Sequence, residues 1–269
     1  QPLGRPILGT VDTVSAFMPD DLRSYRDQFY QPSSMVVAAV GALDHASLVA
    51  QVEDGFGAMQ EKGFDDFTPA TYVGGDVCLE RDIEQLHVIF GLKSIAVNDP
   101  DFYAMQILSY ILGGGMSSRL FQEVREKRGL CYSVFCFNWG FSDTGIFGIY
   151  AGTGPEKAQE LGRVIVDELR KLSTTITADE LARAKAQLKT GLVMCLEQPS
   201  SRAEQIARQM LLFGRVIPIQ ELIEKVENVD ITTLARLADA LVIQKSPSIA
   251  LIGPRSGLAS FDNIRAKFA

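Results

Sequence analysis

The chain has 269 residues, 46% of them hydrophobic, enough for one large core or two moderate ones, and two domains fit the usual domain size better. A formal charge of -7, with acidic and basic residues well mixed, leaves no electrostatic footprint for DNA, RNA or an anionic membrane, so nucleic acid is not an expected partner. The longest apolar runs, such as Met35 to Val40, are strand-sized and fall far short of the roughly 20 residues that span a bilayer.

The cysteines Cys78, Cys131, Cys136 and Cys195 are too scattered for a disulfide framework and lack the CxxC spacing of a zinc ribbon. Reduced thiols in a cytoplasm-like compartment fit best. Cys131 and Cys136, an odd number of positions apart on one strand, should lie on opposite faces. Residue 1 is Gln and no signal-type segment follows, so the chain reads as a cut or processed piece.

Asp20 to Tyr30, entered from Pro19, has Leu22, Tyr25, Phe29 and Tyr30 at helical spacing. Ser33 to Gly41 is a compact apolar run that predicts a buried strand. Asp44 should cap a helix carrying Leu48, Val49, Val52 and Phe56 as far as the region of Gly63. From Phe64 to Gly75 periodicity gives way to Thr, Pro, Gly and Asp, the composition of a linker.

Two strands are expected at Val77–Ile83 and Gln85–Lys93, then a helix capped by Asp99, with Pro100 in its first turn, running through Leu112. The stretch LGGGMSSRLFQEVREKRGLCY follows, its Ser117–Arg128 helix stopping at Gly129, and strands at Leu130–Trp139 and Thr144–Gly152 come next. Beyond them helices dominate. Leu161, Ile165, Leu169 and Leu172 form one stripe, and Thr177/Glu180 and Ser201/Glu204 have the capping-box spacing. A last strand, Ser246–Pro254, precedes a C-terminal helix. Strands in runs followed by helices in runs predict an α+β architecture with an antiparallel sheet covered by helices.

An internal repeat is visible. DLRSYRDQFYQPSSMVVAAVG near the start and DITTLARLADALVIQKSPSIALIGP near the end share the order helix, turn, apolar strand, glycine. If the second unit begins near residue 76, its closing strand lies about 175 residues on; the first unit closes by Gly41, which places about 135 of its residues upstream of this chain. One partial and one complete copy are therefore expected: residues 1–65, a linker at 66–75, and 76–269.

Several segments resemble the pitrilysin and mitochondrial processing peptidase family of zinc metallopeptidases, especially its bacterial processing-protease branch: QPLGRPILGT, SMVVAAVGALDH, LGGGMSSRLFQEVREKRGLCYSV and SSRAEQIARQMLLFGR. The likeness covers nearly the whole chain. It implies paired α+β domains closing on a peptide, with zinc held by an HxxEH motif of the first domain and a later glutamate.

This chain has no HxxEH. Its two histidines, His45 beside a helix cap and His87 within QLHVIFGL, read as a surface residue and a hydrogen-bonded strand residue, so no zinc ligand is assigned here. Either the catalytic segment lies upstream, the favoured explanation, or the parent is a non-catalytic member serving as a peptide-binding or assembly partner. In both cases this piece alone is expected to be inactive.

The resemblance also implies that Arg125 and Tyr132, seven residues apart in REKRGLCY, hold the substrate backbone, offering charge-assisted and phenolic donors to a peptide carbonyl. On spacing alone, Arg125 could equally solvate a helix that buries Leu120, Phe121 and Val124 while Tyr132 packs in the sheet. Lys127 and Arg128 suit the negative end of the helix dipole. Gly113, Gly114 and Gly115 follow a helix and lack a phosphate-loop spacing, so they read as a sharp turn using positive φ, with Ser117 or Ser118 capping the next helix. The family likeness places such a loop near the substrate chamber. The implied partners are a peptide and a related subunit in a homo- or heterodimer. The implied location is a bacterial cytoplasm, or the mitochondrial matrix in a eukaryote.

Overall fold

The computed structural model describes residues 1–61, 63, 68–244, 247–254 and 256. In chain order the helices and strands are α1 (Val11–Ala16), α2 (Pro19–Phe29), α3 (His45–Phe56), β1 (Gly75–Glu80), β2 (Leu86–Ser94), α4 (Phe102–Gly113), β3 (Cys131–Gly140), β4 (Gly145–Thr153), α5 (Ala158–Thr175), α6 (Ala178–Met194), α7 (Pro199–Phe213), α8 (Ile219–Glu227), α9 (Ile231–Val242) and β5 (Ser248–Gly253). A π-helical turn, Phe121–Glu126, stands between α4 and β3. Two compact units result, Gln1–Ala70 with Val193–Pro218, and Thr71–Leu192 with Ile219–Ala269. Val193–Pro218 thus groups with the first unit although it follows residue 76 in sequence.

In the first unit, local chemistry sets the helix starts. Pro19 opens α2 while the Asp21 carboxylate accepts from the Met18 amide at 2.9 Å, and Asp44 caps α3 by accepting from the Ser47 amide at 2.9 Å. α3 stops at Phe56, short of Gly63. The expected strand at Ser33–Gly41 does not form. Pro32–Ser34 is a 3-10 turn and Met35 to Val40 run on without ladder partners. The physical reason is pairing: β propensity needs a neighbouring edge, and among the described residues no strand lies in this unit.

The second unit is α+β. Its sheet has the order β1-β5-β2-β4-β3, antiparallel except for the parallel pair β1–β5. Alternation decides which face is covered: Leu86, Val88, Phe90 and Leu92 of β2, Phe147 and Ile149 of β4, and Leu251 of β5 pack beneath helices. The α5 stripe Leu161, Ile165, Leu169 and Leu172 is buried there, as are Leu234, Leu237 and Leu241 of α9. The opposite face carries Ile89, Phe135 and Trp139, all exposed.

Several boundaries differ from expectation for local reasons. α4 starts at Phe102 because Asp99 and Pro100 form a preceding turn, in which the Asp99 side chain accepts from the Asp101 amide at 2.8 Å. Thr177 and Glu180 make the expected reciprocal box, but Ser201 lies inside α7, which Pro199 begins at once, with Gln198 at the cap. Cys131 and Cys136 share the covered face because a bulge between Cys131 and Ser133 shifts the parity of β3; both thiols are free. The predicted C-terminal helix lies largely outside the described residues, as do residues 64–67 of the predicted linker and Ser246 of the last predicted strand.

Candidate functional site

Arg125 and Tyr132 are brought together by two irregularities. Ser117–Arg128 is not a plain α-helix: regular structure begins at Arg119, and Phe121–Glu126 winds as a π turn, the Lys127 amide reaching back to the Gln122 carbonyl at 3.0 Å. Gly129, at φ 58°, then reverses the chain, its amide bonding the Arg125 carbonyl while the Leu130 amide bonds that of Val124 at 2.8 Å. In β3, Cys131 pairs Thr153 and Ser133 pairs Gly152, which leaves Tyr132 as the extra residue of the bulge. A bulge of this kind re-aims its side chain.

The Arg125 guanidinium consequently sits 4.7 Å from the Phe121 ring centroid and 5.3 Å from that of Tyr132, cation-π distances to both. Its one ion pair is a loose 4.0 Å approach to Glu126. Among the described residues neither the guanidinium nor the Tyr132 hydroxyl makes a hydrogen bond, and Tyr132 is 75% exposed. The pair is positioned by stacking with its donors uncommitted. Lys127 and Arg128 instead converge on Glu123; Arg128 also donates to the Glu123 carbonyl at 2.9 Å, one of the helix's last acceptors. Hydrogen bonds from Lys127 and Arg128, partly opposed by desolvation, hold the Glu123 carboxyl below the usual range.

The glycine triplet is a packing device more than a conformational one. Only Gly115 has a positive φ, 155°. A Cβ at Gly113 would stand 2.5 Å from the Cys136 backbone nitrogen, and one at Gly114 would stand 2.5 Å from Tyr110 Cα. Neither serine caps the next helix: Ser118 instead donates its hydroxyl to the Gly115 carbonyl at 2.6 Å. Gln187 donates to the Gly114 carbonyl at 2.5 Å, and Gln122 to that of Met116 at 2.7 Å. The loop is pinned through its carbonyls, the reverse of an amide cradle for phosphate.

Between this loop and β3 lies a cleft of about 530 Å³, lined among others by Gly113, Gly114, Phe121, Phe137 and Trp139. Phe121 is the shared wall, touching the cleft and stacking with Arg125. Burial pushes the Cys136 thiol, also in the cleft wall, well above its usual value. Burial, with Arg125 opposing it, pushes the Cys131 thiol up to about 11. Both therefore favour the neutral thiol, Cys136 in the cleft wall and Cys131 in the core beneath the sheet.

Among the described residues no three His, Cys, Asp or Glu side chains are placed to hold a metal ion. His87 Nδ1 is instead 2.7 Å from the Tyr150 hydroxyl on the neighbouring strand, and His45 is an exposed residue at the start of α3. These residues do not fit a zinc centre.

The family profile described as Peptidase M16 inactive domain matches residues 16–188. The chain belongs to the M16 peptidase family. Within that family it is 35% identical over 255 residues to an uncharacterized zinc protease of Rickettsia felis, covering 94% of this chain and 62% of that protein. It is 38% identical over 265 residues to one of Streptomyces coelicolor, covering 94% and 57%. The chain thus spans about three fifths of the length of the curated relatives it matches. Among solved structures, a chain from complex III2 of Candida albicans with Inz-5 bound superposes with a TM-score of 0.90 at 25% identity, over 99% of this chain and 66% of that one. A protease from Helicobacter pylori shares the fold, at TM-score 0.78 and 24% identity over 91% and 61%. Among the described residues no helix of this M16 chain is long and apolar enough to cross a membrane.

Proposed function

We propose that this chain is the substrate-binding portion of a zinc-dependent metalloendopeptidase that cleaves peptides or presequences, with zinc held by a segment of the longer protein outside these residues. In this reading residues 1–65 close one peptidase-like domain, 66–75 connect, and 76–269 form a second domain that binds no metal. The observation that carries it is the Arg125–Tyr132 pair, two stacked, solvent-reachable side chains whose donors have no partner among the described residues. Donors held without a protein acceptor suit an acceptor that arrives with a ligand, and the carbonyl of an extended peptide matches a guanidinium and a phenol. An extended backbone can also add to an open sheet edge, and β3 is the outer strand of this sheet among the described residues. The zinc-protease names of the bacterial relatives support the reaction class. A bacterial, cytoplasm-like setting and pairing with a related subunit belong to the same proposal.

The test is kinetic. In the full-length protein, Arg125→Ala should lower kcat/KM for a peptide by about 10- to 100-fold, the loss of one charge-assisted hydrogen bond, and Tyr132→Phe by a smaller factor of about 3 to 10. Thermal midpoints should stay within about 2 °C, since both side chains reach solvent. Unaltered kinetics in both variants would rule out the pair as a substrate clamp. A full-length protein that binds peptide through this pair yet hydrolyses none would instead be a non-catalytic partner subunit.

A further inference from the structure

The open face of the second unit's sheet carries a polar notch that the Arg125–Tyr132 pair does not use. Gly152 of β4 stands between two register partners, His87 of β2 on one side and Ser133 of β3 on the other. Because Gly152 has no side chain, the backbones of those partners face each other across about 9.5 Å, twice the strand spacing. Tyr150, two residues away on the same face of β4, and Gln85, just before β2, close the other sides. A Cβ on Gly152 would stand 3.2 Å from Gln85 Oε1 and 3.4 Å from both the Ser133 and the Tyr150 hydroxyl oxygens. Four polar side chains thus converge on one position that glycine leaves open.

The two rings of this set are held from the sheet. Phe135 stacks on Tyr150 at 4.8 Å between centroids and Tyr150 on His87 at 6.0 Å, with the Tyr150 hydroxyl 2.7 Å from His87 Nδ1. Among the described residues the Gln85 amide and the Ser133 hydroxyl make no hydrogen bond. The balance of donors and acceptors selects the ligand. A neutral imidazole and a phenol have two polar hydrogens between them, and their mutual bond uses one. Whichever group donates, the pair keeps one donor and one acceptor for a ligand, and Ser133 and Gln85 also offer both kinds. A carboxamide, with N–H donors and a carbonyl acceptor, answers both. A carboxylate only accepts and finds no fixed positive charge among the four groups, and an ammonium only donates and finds no carboxylate. An apolar group would strip water from the polar set and return nothing.

Resting on the peptide-holding role above, we propose that the notch over Gly152 is a polar subsite that takes the carboxamide of an asparagine or glutamine side chain from a peptide held by Arg125 and Tyr132. Ser133 directly follows Tyr132, one Cα step of about 3.8 Å, so a side chain of the held segment reaches the notch. Gly152 makes the room, His87 and Tyr150 orient each other, and Ser133 and Gln85 complete the set. The notch sorts peptides by sequence, independently of the chemistry that cuts them.

The 269-residue chain is titrated by calorimetry with an extended host peptide in which a single Gln, Asn, Met or Glu is scanned through the positions. Met matches Gln in length without its hydrogen bonds, and Glu matches its shape without its donors. At one position a Gln or Asn peptide should bind about 10-fold tighter than the Met and Glu peptides. The Gly152 φ is not positive, so alanine suits its backbone, and the Gly152→Ala methyl fills the notch without removing any polar group. That variant should shrink the carboxamide preference below about 2-fold, and Ser133→Ala should reduce it to about 3-fold, thermal midpoints serving as the check on folding. Arg125→Ala should weaken all peptides by one common factor and keep the preference.

Equal binding of all four peptides at every position, with Arg125→Ala still weakening them, overturns the subsite and leaves the peptide-holding role intact. Tightest binding of the Glu peptide would mark an anion site and overturn the carboxamide assignment. A preference that survives both Gly152→Ala and Ser133→Ala places the contact elsewhere and also overturns the subsite. Indifference of every peptide to Arg125→Ala overturns the role on which it rests, and no binding of any peptide overturns both.

Discussion

Gly113 sits where α4 meets the backbone of β3, and the approach is closer than any side chain permits. In a helix Ala is usually favoured over Gly by about 1 kcal/mol, but here the added methyl would meet the Cys136 nitrogen at 2.5 Å. Overpacking wins, and Gly113→Ala should cost about 1 to 3 kcal/mol, read from urea denaturation. A stabilised Gly113→Ala variant would show that α4 can retreat from β3. The triplet's position was legible as a turn, but its reason was not. Positive φ is a local property that glycine runs advertise, whereas contact between Gly113 and Cys136 joins residues 23 apart and leaves no mark in local composition. The REKRGLCY spacing singled out Arg125 and Tyr132 only through the family likeness, and the fold stacks the two side chains. What brings them into stacking range, a π turn and a bulge, each adds a residue that no periodicity announces.

Elements met expectation where the pattern and its pairing partners both lay in the same unit. The strands β2, β3 and β4 were readable within a residue or two because alternation, glycine ends and adjacent ladders agree. Met35 to Val40 have the same composition and form no strand, because composition cannot supply an edge. The junction of α5 and α6 shows how a single long-range pair can be decisive. Arg119 donates to both Glu180 oxygens at 2.6 and 2.8 Å and to the Thr175 carbonyl at 2.8 Å, while Glu180 also closes the cap on Thr177. Burial raises the Glu180 carboxyl, but the Arg119 and Thr177 hydrogen bonds outweigh it and the net shift is downward. A carboxylate depressed in the folded state stabilises above its unfolded pKa and loses that contribution as pH falls through the folded value. Acid should therefore weaken this junction below about pH 4.5. Glu180→Gln is expected to cost about 1 to 2 kcal/mol at pH 7, after allowing for solvent screening, and less at pH 3. Denaturation curves at the two pH values measure it; an equal cost at both would mean that packing, not charge, holds the junction.

At the scale of the whole molecule, the two halves of the sequence repeat end differently. α9 leads into β5, which takes a place between β1 and β2, so the second unit has a central strand with ladders on both sides. α2 leads into Met35 to Val40 in the same sequence order, and that segment lacks such neighbours among the described residues. On the proposed reading the zinc ligands belong to a longer protein, and this chain spans about three fifths of the curated relatives it matches. Zinc should then behave differently in the two contexts. In the full-length protein a chelator should remove stoichiometric metal and peptide hydrolysis together, and added zinc should restore both. The 269-residue chain should hydrolyse no peptide with or without zinc, and its thermal midpoint should be unmoved by the chelator, because no described residues cluster as ligands. Zinc-dependent hydrolysis by the 269-residue chain would place the catalytic centre within it, and a full-length protein that neither binds zinc nor cleaves peptide would make the M16 chain part of a binding subunit.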